Sequence, residues 1–463
     1  MKHGFVFLGV ILFILILSCF SYAGGGFAFP GVGSKALSMG GAFRGLADDW
    51  SAAFWNPGGL AYLSNTEISS SFYVLNFRPE YTPSMKLGES DYTFGYPAVT
   101  SYPEDRAFFL PNISGFYKFT QLNGFTGGVA FYAPYKMQSQ WNLYKPPMGY
   151  NNTIEYPKYD HVTNILIWDI HPSVAKSFME GKLGLGLGIS IERADFELRR
   201  TVLVPTTYPR PYDFFPYDAR MKTDGWGVGF NAGVLYKYSP KLQFGLSYRN
   251  PIDLNLSGSM KLEMYYPRIT GSQILGGITS YKDNNFETTL SLPGEIGFGV
   301  MYKPIEKLTL TSDISSVNWS CLESIDTKDF TLTQSQNDTL YLDVRDAKIP
   351  FNWENIIRFS LGGEYMLKEN LNVRGGYFFE KTPIPNSTFT LLIPDVGDKH
   401  SINLGLSYKI NSVELGYDYQ LVTYKKRDVK DFEDVNGDGR FDNMPGSYKM
   451  IYHCSGLSFC YHF

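Results

Sequence analysis

The chain has 463 residues, with 41 basic against 45 acidic side chains, a formal charge of −4 and 16% aromatic residues. That balance excludes a nucleic-acid partner, which needs a basic face, and no linker or low-complexity tract divides the chain. Beyond the N-terminus no apolar run approaches the ~20 residues of a membrane-spanning helix, so a helical membrane protein is excluded too.

The N-terminus carries an address. Lys2 precedes the apolar core Phe5–Leu17, and Ser21-Tyr22-Ala23 offers a small-x-small cleavage site before Gly24. This predicts an export signal over residues 1–23. The competing pattern is a lipoprotein signal ending at Cys19, in which Leu17 fits poorly. Cleavage removes Lys2 and no acidic residue, so 40 basic against 45 acidic side chains leave the mature chain near −5.

Residues 24–62 do not read as strand. Gly33–Leu46 is rich in small residues, and Asp48 through Leu60 reads as a helical turn entering a tight loop. A segment this apolar should not hang in water, which predicts a plug, or hatch, inside whatever residues 63–463 build. A periplasmic docking tail is the alternative.

After residue 60, about fourteen stretches alternate apolar with small or polar residues, each long enough to cross a bilayer as a tilted strand. The joints between them alternate in length. Thr120–Gly124, Met179–Lys182, Ser239–Lys241, Pro304–Lys307, Lys368–Asn370 and Ile410–Ser412 are short. Phe77–Arg106, Lys136–Asp160, Leu198–Met221, Gly258–Asn285, Cys321–Pro350, Glu380–Asp398 and Arg427–Gly446 are long. A closed barrel in an outer membrane has this rhythm, with tight periplasmic turns and long outer loops. The predicted fold is all-β, a 14-stranded antiparallel transmembrane barrel with an N-terminal hatch in its lumen. Tyrosine and phenylalanine suit its interfacial girdles.

The period of two assigns the faces. Leu183, Leu185, Leu187, Ile189 and Ile191 share one face, with Gly184, Gly186, Gly188, Ser190 and Glu192 opposite. Trp226, Val228, Phe230, Val234 and Tyr236 face lipid, as do Leu242, Phe244, Leu246 and Tyr248. Glu295, Asp313, Arg358, Glu364, Arg374, Glu414 and Asp418 fall inward, since a cation at mid-membrane on the lipid side costs about 2–4 kcal/mol. The lumen thus reads as mixed charge with much glycine, which lets a plug or ligand approach the wall.

Three later features complete the pass. Asp434, Asn436, Asp438, Arg440 and Asp442 reproduce the first half of a calcium loop, with Gly439 and Gly437 between them. Pro445 stands where the final Glu belongs, so the choice lies between an external Ca2+ site and an unliganded Asx-rich turn. No other cofactor is required. Cys454 and Cys460 share the last strand about 20 Å apart at roughly 3.3 Å per residue, beyond bridging distance, and no metal-ligand spacing shows. Leu457, Phe459, Tyr461 and Phe463 alternate to an aromatic carboxyl terminus, the mark by which outer-membrane assembly machinery recognises a last strand.

Several of these segments together make the chain similar to the FadL family of outer-membrane fatty-acid and aromatic-hydrocarbon transporters, including TodX-like toluene channels. The resemblance rests on Ala47-Asp48-Asp49, Phe54-Trp55-Asn56-Pro57-Gly58-Gly59-Leu60, and Gly128 through Pro134. Ser291-Leu292-Pro293-Gly294-Glu295, Leu310–Trp319, Leu371 through Tyr377, Lys381 through Pro385 and Ile393-Pro394-Asp395 extend it. It implies passive uptake of hydrophobic molecules without enzymatic chemistry, by a monomer in contact with outer-membrane lipid and lipopolysaccharide. It also implies a kinked third strand that opens the wall sideways, here carried by Gly127, Gly128 and Pro134, or else an ordinary bulge. Asp48, Asp49, Trp55, Asn56, Pro57 and Gly58 would form the hatch turn.

A fatty-acid carboxylate needs a cation in an otherwise apolar pocket. Arg358, Arg374, Arg249 and Arg193 are candidates, Arg374 foremost because it sits in the family motif, although each also has a carboxylate to pair with across the wall. Phe27 and Phe29 are placed beside the hatch as pocket lining. Aromatic outer segments Tyr132–Tyr150, Tyr208–Tyr217 and Met260–Tyr266 form a collecting groove or simply pack. The scattered histidines show no base beside an external nucleophile, which excludes an outer-membrane hydrolase. A diffusion porin or an adhesin is the remaining alternative; neither calls for an apolar plug.

Overall fold

Alternation drives these stretches into strands, and the need to pair every backbone group in lipid drives the strands into a closed ring. The computed structural model describes residues 26–29, 31–84, 96–104, 107–122, 125–152, 154–269, 275–280, 284–327, 331–336, 339–345, 348–437 and 441–463. The export signal therefore lies outside the described residues, as do Asp438, Gly439 and Arg440. Fourteen antiparallel strands close the barrel. They are β1 (Glu67–Pro83), β2 (Ala107–Phe119), β3 (Phe125–Trp141), β4 (His161–Phe178), β5 (Leu183–Pro205) and β6 (Phe214–Ser239). Next come β7 (Leu242–Arg249, continued by Ile252–Arg268) and β8 (Asn284–Leu292, continued by Glu295–Ile305). The ring is completed by β9 (Leu308–Val317), β10 (Ile356–Lys368), β11 (Leu371–Glu380), β12 (Lys399–Ile410), β13 (Val413–Tyr424) and β14 (Gly446–His462).

The seam is closed by β1 against β14 in unbroken register from Glu67↔His462 to Pro83↔Gly446. Phe463 N donates to Thr66 O at 2.9 Å, so the last residue is pinned. Strands β5 and β6, of 23 and 26 residues, far exceed the ~9–11 that span a bilayer, and they carry the wall outward beyond it. Several long joints are accordingly shorter than the sequence suggested, Leu198–Met221 most clearly, whereas Glu380–Asp398 remains a full-length joint.

Two proline-containing breaks change what the lumen is lined with. Asn250-Pro251 interrupts β7 and Pro293-Gly294 interrupts β8, and the β6 register against β7 slips by one residue across the first break. Below the breaks the inward residues are Gly245, Ser247, Gly297 and Gly299; above them they are Ile252, Leu254, Leu256, Phe286, Leu290 and Leu292, all at most 2% exposed apart from the polar set below. On the outer face the order reverses, with Ile296 and Phe298 below and Asp253, Asn255 and Glu287 above. The lower barrel is thus a membrane barrel with a polar bore, and the upper barrel is a water-exposed cup with an apolar interior. The single polar lumen read from the sequence describes only the lower half, because a one-residue slip reverses inside and outside.

Candidate functional site

The hatch fills the lower bore. Helix α1 (Ser34–Ser38), helix α2 (Ala52–Trp55) and the 3-10 turn Pro57–Tyr62 are its ordered pieces, and almost every residue from 31 to 61 is buried. Small residues line both surfaces where it meets the wall. A Cβ on Gly186 would land on the Pro57 carbonyl, one on Gly376 on Met39, and one on Gly405 on Ser38. Conversely, a Cβ on Gly45 would sit 2.7 Å from the Val300 backbone. Gly45→Val is expected to lift the hatch off the β8 wall while the ring still assembles. Measured ion conductance should rise above that of the parent protein at unchanged heat-resistant electrophoretic mobility.

Polar anchors then fix the hatch's position. Arg44, buried, pairs with Glu295 and lies 3.6 Å from Asp313, and its Nε donates to Ser247 Oγ at 3.0 Å. Asp313 in turn accepts from the backbone N–H of Phe43 and Arg44 at 3.0 and 2.8 Å. Asn56 Nδ2 donates to Arg44 O and to Val234 O, at 2.9 and 3.0 Å, while its Oδ1 accepts from Gly58 N. Asn231 on β6 donates to Ala53 O at 2.7 Å and also meets the buried His171. Ser34 bonds Asp418.

Asp48 and Asp49 make their contacts around the hatch turn. Lys35 Nζ contacts Asp48 at 2.9 Å and Glu364 at 3.3 Å. Burial works against the lysine charge, but these two carboxylates more than offset it and hold its pKa well above the ordinary value. Burial, reinforced by neighbouring Asp48, pushes the Asp49 carboxyl up to about 6. Asp49 Oδ1 accepts from Ser51 N and Oγ at 2.8 and 2.6 Å.

The wall is open beside the start of the hatch. Strand β3 carries two residues, Ala133 and Pro134, opposite the single Trp168 of β4. The β2–β3 ladder ends at Ile113↔Phe131, although β2 continues to pair with β1 as far as Asn76↔Ala107. Higher up, Glu104 N donates to Gln140 O at 3.1 Å and closes the gap from above. Between these two limits lies a window. The start of the hatch stands on its inner side, where Phe29 N donates to Pro134 O at 2.8 Å and Ala28 bridges Tyr135. Pro134 is at this interruption, but Gly127 and Gly128 are below it and paired on both sides, with Tyr117 and Phe116 on β2 and Val174 and Ser173 on β4. The sequence reading of those two glycines as weak points is corrected: Gly128 instead lets the Phe116 ring and the Gly115 carbonyl approach.

A cavity adjoins the window from within. Its volume is about 60 Å3, it is open to solvent on one side, and Phe29, Trp55, Tyr135, Trp319, Arg249 and Arg358 are on its walls. Phe27 packs just behind, its ring 5.5 Å from both Tyr135 and Trp319 and 5.9 Å from Trp353. Arg249 donates to Phe54 O at 2.8 Å and lies 4.0 Å over the Phe54 ring; Arg358 is 3.3 Å from Glu380 and 4.3 Å over Phe378. Two arginines and the carboxylates of Glu295 and Glu380 therefore share a chamber otherwise lined by aromatic and small apolar residues.

The other two arginines are elsewhere. Arg374 is held by Glu364 at 2.6 Å and Ser407 at 2.9 Å, low in the bore beside Lys35. Arg193 faces outward, contacting Asp224 at 2.7 Å and lying over the exposed Trp226 ring. Above, Tyr144, Tyr156 and Tyr265 form a chain of rings spaced 4.9 and 4.7 Å apart, joining the outer loops to β7. In the Asp-rich loop, Asp434 Oδ1 accepts from Gly437 N at 2.7 Å and Asp442 Oδ2 from Val435 N at 2.8 Å; Asn436 donates to Lys348 O. The Asp434 bond is of the Asx type, and Asp438 and Arg440 of the predicted calcium loop lie outside the described residues.

A family profile described as outer membrane protein transport protein (OMPP1/FadL/TodX) matches residues 15–463. The long-chain fatty acid transport protein of Escherichia coli O6:H1 is 26% identical over 208 residues, covering 43% of this chain and 44% of that relative, so less than half its length is matched. Among solved structures, a Pseudomonas aeruginosa FadL homologue superposes with a TM-score of 0.75 at 18% identity, over 95% of this chain and 100% of that one. The Pseudomonas putida toluene transporter TodX gives 0.68 at 13% identity, over 94% and 99%. With a ring of fourteen strands, a hatch in its bore and a profile match across nearly the whole length, the chain belongs to the OMPP1/FadL/TodX family of outer membrane transport proteins and resides in the outer membrane.

Proposed function

We propose that the protein takes up hydrophobic molecules passively, holds them in the chamber beside the hatch, and releases them sideways through the β2–β3 window into the membrane. The window itself carries this reading: a wall that lacks its ladder above Ile113↔Phe131 offers a route that never crosses the plugged, polar lower bore. An apolar solute gains nothing from that bore, whereas the cup above it is lined by Leu254, Leu256 and Leu290. A second cleft, bordered by Phe77, Phe108, Met137 and Pro394, lies against the same gap. The hatch argues against an open porin, and the chamber against an adhesin. No catalytic step is invoked. The exposed edge Leu457, Phe459 and Phe463 supports recognition of the last strand during assembly, and the mechanism needs only a monomer.

Long-chain fatty acids and monoaromatic hydrocarbons are the two cargo classes, after the relatives' names. The chamber cations favour the acid, because a charge-assisted hydrogen bond contributes about 1.5–3 kcal/mol. Arg249→Gln should weaken fatty-acid binding by about tenfold or more and leave toluene binding unchanged, measured by calorimetry in exchanged detergent. Equal loss for both ligands would remove the arginine from carboxylate recognition. Native mass spectrometry of the purified protein identifies the cargo it retains.

A further inference from the structure

The seam where the barrel closes brings together three side chains from the two ends of the sequence. Glu67 opens β1, and Cys460 and His462 are two apart on β14, so both project into the bore. Cys460 Sγ is 3.9 Å from Glu67 Oε2 and 3.9 Å from His462 Nδ1, and the last two atoms are 3.5 Å apart. A tetrahedral Zn2+ with ordinary bond lengths places such donors about 3.3–3.6 Å from one another. The three atoms are therefore within a few tenths of an ångström of a ligand set.

Independent observations at this place point to a cation. Glu67 is 4% exposed and its Oε1 makes no hydrogen bond among the described residues. Glu414 Oε2 lies 3.8 Å from His462 Nε2, a nearby negative charge but not a hydrogen bond. The hatch carboxylates of Asp48 and Asp49 add further negative charge around Glu67. Lys35 of the hatch is already shared between Asp48 and Glu364.

We propose that Glu67, Cys460 and His462 form a binding site for a borderline-soft divalent cation of the Zn2+ class, stapling the first strand to the last beside the hatch turn. A water molecule completes the tetrahedron, and binding displaces the thiol proton to solvent. Because one ligand comes from the first strand and two from the last, the ion resists opening of the seam. Local spacing could not reveal it: Cys-x-His is two ligands, and the third is nearly four hundred residues away.

The test uses the full-length protein in detergent, with Co2+ and Zn2+ as probes. One equivalent of Co2+ should give a thiolate-to-cobalt charge-transfer band, lost in Cys460→Ser, with binding weakened by more than about tenfold in His462→Gln. Both positions belong to the last strand, on which assembly depends, so Glu67→Gln provides a variant outside it and should also weaken binding. With the other cysteines replaced by serine, Zn2+ should slow alkylation of Cys460. A missing charge-transfer band, or alkylation at the same rate with and without Zn2+, overturns the proposal and leaves an ion pair only.

Discussion

Replacing Arg44 with alanine is expected to make the barrel leak ions without dismantling it. Among the described residues, Arg44 is the one hatch side chain that reaches two wall carboxylates, Glu295 and Asp313; Arg44 and Asp313 are buried and Glu295 is half-buried. Removing the cation leaves both acids uncompensated against the hatch, and loss of one partner from a buried pair costs about 3–5 kcal/mol. That penalty falls on the docked state, since the ring strands pair through their backbones and do not need Arg44. A docked-to-undocked ratio lowered by about two to four powers of ten follows. Planar-bilayer recordings should show frequent conducting events where the parent is closed. Adding Glu295→Gln and Asp313→Asn should recover part of the closure, because the stranded charges are then gone. A quiet Arg44→Ala channel would show that packing alone retains the hatch.

Deleting Pro134 is expected to abolish uptake while the barrel still assembles. The β3 bulge sets Ala133 and Pro134 against Trp168, so removal of one residue restores one-to-one register with β4. It also removes a residue that has no N–H to offer a neighbouring strand. Continuation of the β2–β3 ladder past Ile113↔Phe131 would then close the window, and Phe29 N would lose its acceptor at Pro134 O. Transport of labelled fatty acid or toluene into cells should fall to that of cells without the protein. Uptake at the parent rate would rule out the sideways route. Gly128→Ala tests a different feature, the close packing against Phe116, and should act on assembly more than on transport.

Strand number and facing were readable because a lipid-exposed wall tolerates little error: Leu185, Leu187 and Ile189 are exposed and Gly184 and Gly186 buried, as the period of two requires. The plug was readable for a similar reason, since an apolar stretch such as Ala52–Leu60 needs somewhere dry. Arg44 was not, because one arginine in a run of small residues looks like a solvent position until its partners on β8 and β9 are known. Arg374 stands in the family motif, yet the register sets it directly across from Glu364, and no single-strand pattern contains that pairing. Arg193 shares parity with the lipid-facing Leu183, so its outward direction was available from the same rule that placed the leucines. Where the β2–β3 ladder stops is a property of two strands, whereas Gly127, Gly128 and Pro134 all come from one.

The carboxylate of Asp395 accepts from Gly26 N at 2.9 Å through one oxygen and holds Lys399 at 2.9 Å through the other. Gly26 begins the described part of the hatch, whereas Asp395 belongs to the outer segment between β11 and β12. The cork and the rim of the cup are thus fastened by one shared latch. Movement of the rim segment and movement of the cork's leading end are therefore coupled through the two oxygens of one side chain.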